Sequence, residues 1–599
     1  MFEIREDEPD YAYLNDPVTP ESNRYGDAID LTAASGQPTG ASLNINGDSG
    51  VGTNPNRNKQ HGFHFTADNC IGCHACEAAC SEKNDLAPHL SFRSVGYVEG
   101  GTFPDFTRVN ISMACNHCDD PVCLKGCPTG AYTKHAEYGA VLQDPDICFG
   151  CGYCTWVCPY NAPQLDPVAG NVQKCNMCVD RLEVGLKPAC VSACLGNALD
   201  FGVIETTPEN REQIKTQIPG FPDPEITHPN IRFQQTRSLP RELTRTDSQP
   251  VKYQRTHEGY HPVVDEKDAA GGRWNPARLS SRENPLVVFT LTTQAIIGAF
   301  AVLFLGAAFG VDALAVLPSS GAYLAGVIAL VVMQTAMLGL STLHLGRPWR
   351  FYRGFNNLRH SPLSREALGI SLFLGFMGGH ALFTALGPYF PAAETLALIS
   401  GWLAVTSGLA GLYFMVRIYR IKARPFWDHW QLTTTFFGTM VTLGAILVGL
   451  AFLPSAPALT GVLSALVIGG LAFEGAGLFA HARDLKAGGG EAAASHHRQT
   501  TLFGYTYGLR NVLMAANAGF ALYLGSAGAA GGMGLALWGL LSVSVIASAL
   551  IGRALFYVLV IPTTMPGAFF WKNSAFEEHA RKTGLADLPQ TGVIPENGL

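Results

Sequence analysis

Sixteen cysteines constrain this chain more than any other feature: all lie between Cys70 and Cys194, in four groups of four, and the rest of the 599 residues hold none. The first group is Cys70-x2-Cys73-x2-Cys76-x3-Cys80, and the third is Cys148-x2-Cys151-x2-Cys154-x3-Cys158 followed by Pro159. Both are the run in which three closely spaced thiolates wrap one [4Fe–4S] cube while the fourth ligates another. The second group, Cys115-x2-Cys118-x4-Cys123-x3-Cys127-Pro128, and the fourth, Cys175-x2-Cys178-x11-Cys190-x3-Cys194, keep the terminal x3 step and lengthen the loop before it. Cross-ligation then requires the groups to work in pairs. Zinc also takes four-thiolate sites, but from two separated CxxC pairs rather than unbroken x2-x2-x3 runs. Disulfides between cysteines two residues apart are sterically poor. The spacing therefore predicts four [4Fe–4S] clusters.

Composition hides two modules, because the mean hydropathy of +0.14 averages a polar N-terminal half with a C-terminal half of long apolar runs. Residues 1–60 are rich in Asn, Asp, Gly, Ser and Pro and start with an acidic stretch where a secretory signal would be basic and then apolar. They read as a polar extension, either disordered or clasping a partner. Residues 61–205 form the four-cluster domain, of α+β ferredoxin-like class, in which metal and sulfide replace part of the hydrophobic core. Residues 206–284, rich in Pro, Arg, Glu and Thr and without a sustained period, read as a linker.

From residue 285 to 561 the pattern is that of a membrane bundle. Apolar stretches at 286–309, 321–345, 366–388, 392–416, 431–453, 457–482, 508–528 and 532–561 are each long enough to cross ~30 Å of hydrocarbon. That makes an all-α anchor of eight transmembrane helices, followed by a tail at 562–599. Arg347, Arg350, Arg353, Arg359 and Arg365 follow the second stretch, Arg417, Arg420, Lys422 and Arg424 the fourth, and Arg483, Lys486 and Arg498 the sixth. The alternate loops, Val311–Gly321, Tyr389–Ala392, Pro454–Ala456 and Gly525–Gly532, hold no Lys or Arg. The positive-inside rule then puts the cluster domain and both termini on the cytoplasmic side of a bacterial inner membrane.

A chain of redox stations joined to a membrane bundle implies electron exchange with a lipid-soluble carrier, most simply a quinone. There is no P-loop, no dinucleotide fingerprint in a βαβ setting and no nucleophile triad pattern. The chain reads as a non-catalytic redox subunit whose terminal chemistry belongs to a partner, and no nucleic-acid partner is expected.

Specific motifs carry a family resemblance. The segment Ser341-Thr-Leu-His344-Leu-Gly346-Arg347-Pro348, continuing through Asn356 to Ser361-Pro362-Leu-Ser-Arg365-Glu366, resembles the membrane anchor subunit of the dimethyl sulfoxide reductase family. Cys70–Cys194 resembles that family's four-cluster electron-transfer subunit, so the chain is similar to the two fused. The resemblance implies a separate molybdopterin catalytic subunit. It also implies the ligand sets Cys70, Cys73, Cys76 and Cys194; Cys80, Cys175, Cys178 and Cys190; Cys115, Cys118, Cys123 and Cys158; and Cys127, Cys148, Cys151 and Cys154. In nitrate reductase relatives a Trp replaces the second cysteine of group three and leaves a three-iron cluster; Cys151 is intact here, which implies four-iron cubes throughout.

Quinone chemistry moves two protons with two electrons, so a titratable side chain belongs at its site. His344, at the cytoplasmic end of the second stretch, aligns with the family's quinol-site histidine. Glu474, about two turns inside the sixth stretch, and His481 near that end are further candidates, since intramembrane carboxylates are costly and usually functional. Haem is not expected: His380 lies ~14 residues, about 21 Å, from the cytoplasmic end of the third stretch, with no second histidine at its depth. The segment from Val560 to Arg581, with Phe569, Phe570 and Trp571, is expected either to fold back to the cytoplasmic mouth or to form an interfacial belt. The inside placement favours a sulfite-oxidising, quinone-reducing complex, as in the family's cytoplasmic sulfite dehydrogenases, over a quinol-oxidising S- or N-oxide reductase. A redox-linked ion translocator or a structural anchor is the alternative from another class.

Overall fold

The computed structural model describes residues 3–14, 22, 24, 41, 43, 56–204, 218–245, 250–257, 259–266, 274, 276–311, 314–528, 531–563 and 574–588. The chain divides into two compact units, Met1–Asp265 together with the tail, and Glu266–Ile561.

In the first unit, strand β1 (His61–Thr66) is buried along its whole length. Its register sets Phe63 opposite Phe201 of the antiparallel β8 (Leu199–Val203), and Phe65 opposite Phe233 of the parallel β9 (Ile231–Gln234). The ring pairs Phe63–Phe201 and Phe65–Phe233 each lie 5.2 Å apart, edge to face, which fixes that register from both sides. The cysteine-rich segment runs between β1 and β8, so one small sheet closes both ends of it. A second sheet has the order β12-β11-β10-β2-β3, built from β2 (Arg93–Gly100), β3 (Thr107–Ala114), β10 (Glu242–Arg245), β11 (Val251–Thr256) and β12 (Gly259–Val264). Two hairpins complete the unit: β4 (Tyr132–Lys134) with β5 (Val141–Gln143), and β6 (Gln164–Asp166) with β7 (Asn171–Gln173).

The stretch read as a linker is therefore corrected. Four of its strands are woven into the sheets of the cluster domain, with Leu243, Val251 and Tyr253 buried. Strands of four to six residues are too short for alternation to stand out from sequence. The polar extension is corrected likewise where it is described: it clasps its own domain. Tyr13 bridges Leu186, and the buried Glu8 carboxylate accepts from Arg181 at 3.2 Å. A buried guanidinium without that partner would be costly, which holds the acidic start in place.

Short helices sit among the cysteines: α1 (Ala75–Lys83), α2 (Val122–Gly126), α3 (Tyr153–Val157), α4 (Val179–Glu183) and α5 (Ala189–Ser192). Three of them open on a left-handed residue, His74 (φ 61°), Gly152 (φ 74°) and Cys178 (φ 50°). Such a residue reverses the chain sharply, so a loop can curl back before its helix starts.

The second unit is helical: α6 (Asn284–Ala308), α7 (Gly321–Thr342), α8 (Pro362–Leu386), α9 (Pro391–Tyr419), α10 (Gln431–Phe452), α11 (Thr460–Ala487), α12 (Gly490–Thr500), α13 (Gly504–Ala527) and α14 (Gly531–Val558). Among the described residues, seven of these are both long and apolar enough to span. The eighth expected span, α13, has the length, with 24 residues, but Arg510, Asn511 and Asn517 lower its apolarity. Ser361 caps α8 by accepting from Ser364 N–H at 3.4 Å, with Pro362 in the first turn. Glycines let the helices approach: a Cβ on Gly369 of α8 would lie 2.7 Å from Gly411 Cα of α9, and one on Gly438 of α10 would lie 2.8 Å from the Gly470 carbonyl of α11. In lipid, close van der Waals packing of this kind does the work that hydrophobic burial does in water. In the tail, α15 (Ser574–Thr583) belongs to the first unit. Residues 564–573, the aromatic part of the expected fold-back, lie outside the described residues.

Candidate functional site

The short helices and turns of the first unit bring the sixteen cysteines into four sets. Cys70, Cys73, Cys76 and Cys194 line one cavity, beneath Phe65 and beside Ser112. Cys115, Cys118, Cys123 and Cys158 line another, with Lys174 and Tyr160 in its wall. Cys80 lies among Cys175, Cys190 and Cys178, and Cys154 among Cys151, Cys127 and Cys148. Among the described residues no cluster of His, Cys, Asp and Glu is placed to hold a single metal ion. Four thiols around a void suit a cube instead, and the donor set is all sulfur.

Backbone amides point at several of these sulfurs: Gly150 N–H donates to Cys148 Sγ at 3.3 Å, Met177 to Cys175 at 3.4 Å and Leu199 to Cys194 at 3.3 Å. Such bonds favour a thiolate. Burial works the other way, pushing the Cys76, Cys158 and Cys178 thiols up to about 11 and Cys175 to about 12. Ligation by iron must displace those protons, which couples loading of the site to its folding.

Two cations lie where sets adjoin. Arg93 is 1% exposed; its Nη1 donates to Ser112 Oγ at 3.0 Å, and that hydroxyl lies 3.5 Å from Cys76 Sγ. The cysteines around it are Cys190, Cys175 and Cys80 of one set and Cys76 of another. Lys174 is 4% exposed and donates to Cys115 Sγ at 3.4 Å and to the Cys175 carbonyl at 3.0 Å. The cysteine spacing gives no sign of Arg93. Lys174 has one signal, its place immediately before Cys175.

In the second unit, Glu474 and His481 line one cleft between α10, α11, α13 and α14, and His344 is not among its lining residues. Glu474 accepts from Thr439 Oγ1 at 3.4 Å. His481 Nε2 pairs with the Phe426 carbonyl at 2.9 Å, and its ring lies 5.1 Å from that of His429. His344 is half-buried just past the end of α7. His380 has both ring nitrogens engaged, Nδ1 with the Ala397 carbonyl at 2.8 Å and Nε2 with the Tyr323 hydroxyl at 2.9 Å. The sequence reading missed Arg510 and Arg553, which also line the cleft. It quoted Glu366 only as part of a motif, yet that carboxylate is buried in α8.

Residues 107–204 match the model of a 4Fe-4S dicluster domain, and residues 280–559 match that of the DMSO reductase anchor subunit. One polypeptide of the anaerobic dimethyl sulfoxide reductase of Escherichia coli is 41% identical over 180 residues, covering 29% of this chain and 87% of the relative. One polypeptide of the sulfite dehydrogenase of Allochromatium vinosum is 41% identical over 154 residues, 22% of this chain and 64% of that one. Protein NrfC of Escherichia coli is 34% identical over 193 residues, 32% and 82% respectively.

Cysteine sets in an α+β ferredoxin-like domain, on the same polypeptide as a bundle of apolar helices, define an iron–sulfur electron-transfer subunit that is also an integral membrane anchor. The two modules match separate subunits elsewhere. The protein belongs to the dimethyl sulfoxide reductase family, as a fusion of its iron–sulfur and anchor subunits.

Proposed function

We propose that this chain carries electrons between a molybdopterin catalytic subunit, supplied as a separate polypeptide, and the membrane quinone pool, through four [4Fe–4S] clusters held by the four cysteine sets. The observation that carries this reading is the convergence of all sixteen cysteines into sets of four on a chain that also supplies its own bundle. When bound, the clusters supply one-electron carriage. The chain's residues orient and insulate them: amide N–H groups address the sulfurs, and Arg93 and Lys174 hold positive charge at the junctions between sets. The family resemblance supports the Cys70 set as the end toward the catalytic partner, and the paired Cys115 and Cys127 sets as the end toward the membrane. His344, Glu474 and His481 are the candidate side chains for the quinone reaction.

The Arg-rich loops after the second, fourth and sixth stretches support a cluster domain and termini facing the cytoplasm of a bacterial inner membrane. That side favours sulfite oxidation coupled to quinone reduction, and the similarity to the sulfite dehydrogenase polypeptide agrees with it. The fuller coverage of the dimethyl sulfoxide reductase polypeptide favours the second reading, quinol oxidation coupled to reduction of an S- or N-oxide. Purified complex in membrane vesicles separates them. Sulfite-dependent reduction of added quinone is the expected result, and quinol-dependent reduction of dimethyl sulfoxide without any sulfite activity would establish the second reading instead.

A further inference from the structure

Glu474 of α11, Arg510 of α13 and Arg553 of α14 line one cavity of the membrane unit, three charges from three helices. Arg510 is 6% exposed and Arg553 3%. A charge taken out of water is tolerated when paired, yet among the described residues neither guanidinium has a carboxylate oxygen within 4.0 Å. Even with Glu474 ionised, the cavity carries one surplus positive charge. Donors are unfilled as well: Arg510 Nε and Arg553 Nη1 are buried without a hydrogen-bond partner. Arg553 is fixed from its other side, by the Nη2 bond to Gln294 Oε1 at 3.1 Å and by the Phe436 ring 4.0 Å from its guanidinium carbon, so rotation cannot satisfy one edge without freeing the other. The cavity measures about 40 Å³. One water needs ~10–15 Å³, and organic ligands occupy pockets of roughly 300 Å³ or more, so the space suits a single-atom ion with a water or two. Gln431 Nε2 donates to Thr435 Oγ1 at 2.7 Å and leaves its Oε1 buried and unpartnered, an acceptor for such a water.

We propose that a monovalent anion of chloride size sits between Arg510 and Arg553 and neutralises this cavity. Guanidinium groups suit it because they stay charged when buried and present several N–H donors in a rigid fork. Glu474 on the third wall sets the valence, since two cations against one carboxylate leave a single charge to balance. The anion also accounts for α13. That helix has the length of a span, yet Arg510 and Asn517 lie buried inside it. With the charge of Arg510 balanced in place, α13 can pack beside α11 and α14 without carrying an unpaired charge into lipid. Binding of this kind is independent of the electron-transfer function, since the anion is neither oxidised nor reduced.

Halide titration of the purified intact complex at constant ionic strength tests the site. Replacing chloride by gluconate, an anion too large for the cavity, is expected to lower the unfolding temperature of the membrane unit, and chloride or bromide to restore it saturably while the cluster EPR signals stay unchanged. Crystals of the complex soaked in bromide are expected to show an anomalous peak between Arg510 and Arg553. Arg553→Gln is expected to raise the half-saturating chloride concentration at least tenfold, and Glu474→Gln, which removes the opposing charge, to lower it at least tenfold. If Arg553→Gln does not assemble, Arg553→Lys keeps the charge, loses the fork and is expected to raise that concentration in the same direction. No peak in the cavity, with an unfolding temperature indifferent to gluconate, would overturn the site and leave water as its content. Peaks at the protein surface alone would mark an adventitious ion only and would overturn it equally.

Discussion

Lys174 presses one ammonium against two cysteine sets, touching Cys115 of one and the carbonyl of Cys175 of the other. A fixed positive charge stabilises the reduced form of a neighbouring cluster, so Lys174→Met is expected to lower its reduction potential, on the order of tens of millivolts. EPR-monitored redox titration measures this, and Lys174→Arg should recover most of the loss. His61 gives a pH prediction. Burial holds it down at about 4 from an ordinary 6.5, with Nδ1 2.8 Å from the Lys59 carbonyl. Between those values the unfolded chain takes up a proton that the folded one refuses, so stability is complete above pH 6.5 and falls as pH drops toward 4. The loss is on the order of 3 kcal/mol, and His61→Gln should remove that part of the slope in pH-dependent unfolding. The cysteines were legible in sequence because their ligand spacing is local. Arg93, Arg510 and Arg553 were not, because each matters through residues far away along the chain.

At the scale of elements, glycine contacts set how the bundle closes. The Met440 carbonyl of α10 occupies the place a Cβ on Gly298 of α6 would need, and Gly444 lies beside it. Gly298→Val is therefore expected to force the two helices apart and to cost about 1–3 kcal/mol, seen as a lower unfolding temperature in detergent. Gly339, with nothing near its Cβ position, is the control, and Gly339→Ala should leave that temperature within error. The long helices were legible because length and apolarity suffice to find them, and even α13 showed its length. Strands β9 to β12 were not, since Ile231–Gln234 and Glu242–Arg245 are each too brief for a period to register. Their place in the sheets is decided by partners such as Phe63 and Glu99, more than a hundred residues earlier.

At the scale of the molecule, four cubes require about sixteen irons per chain, and metal analysis of purified complex is expected to find them with little zinc. The two-module plan and the grouping of the cysteines could be read from the sequence, whereas the cleft could not, because α11, α13 and α14 contribute its charges singly. The strands that follow the last cysteine carry the first unit to Asp265, and the first long helix of the second unit begins at Asn284. A covalent leash that short keeps each half at a high local concentration for the other, independent of how dilute the preparation is. Detergent washes that strip a separately made redox subunit from its anchor would leave this one in place, and every anchor is synthesised together with its own sixteen cysteines.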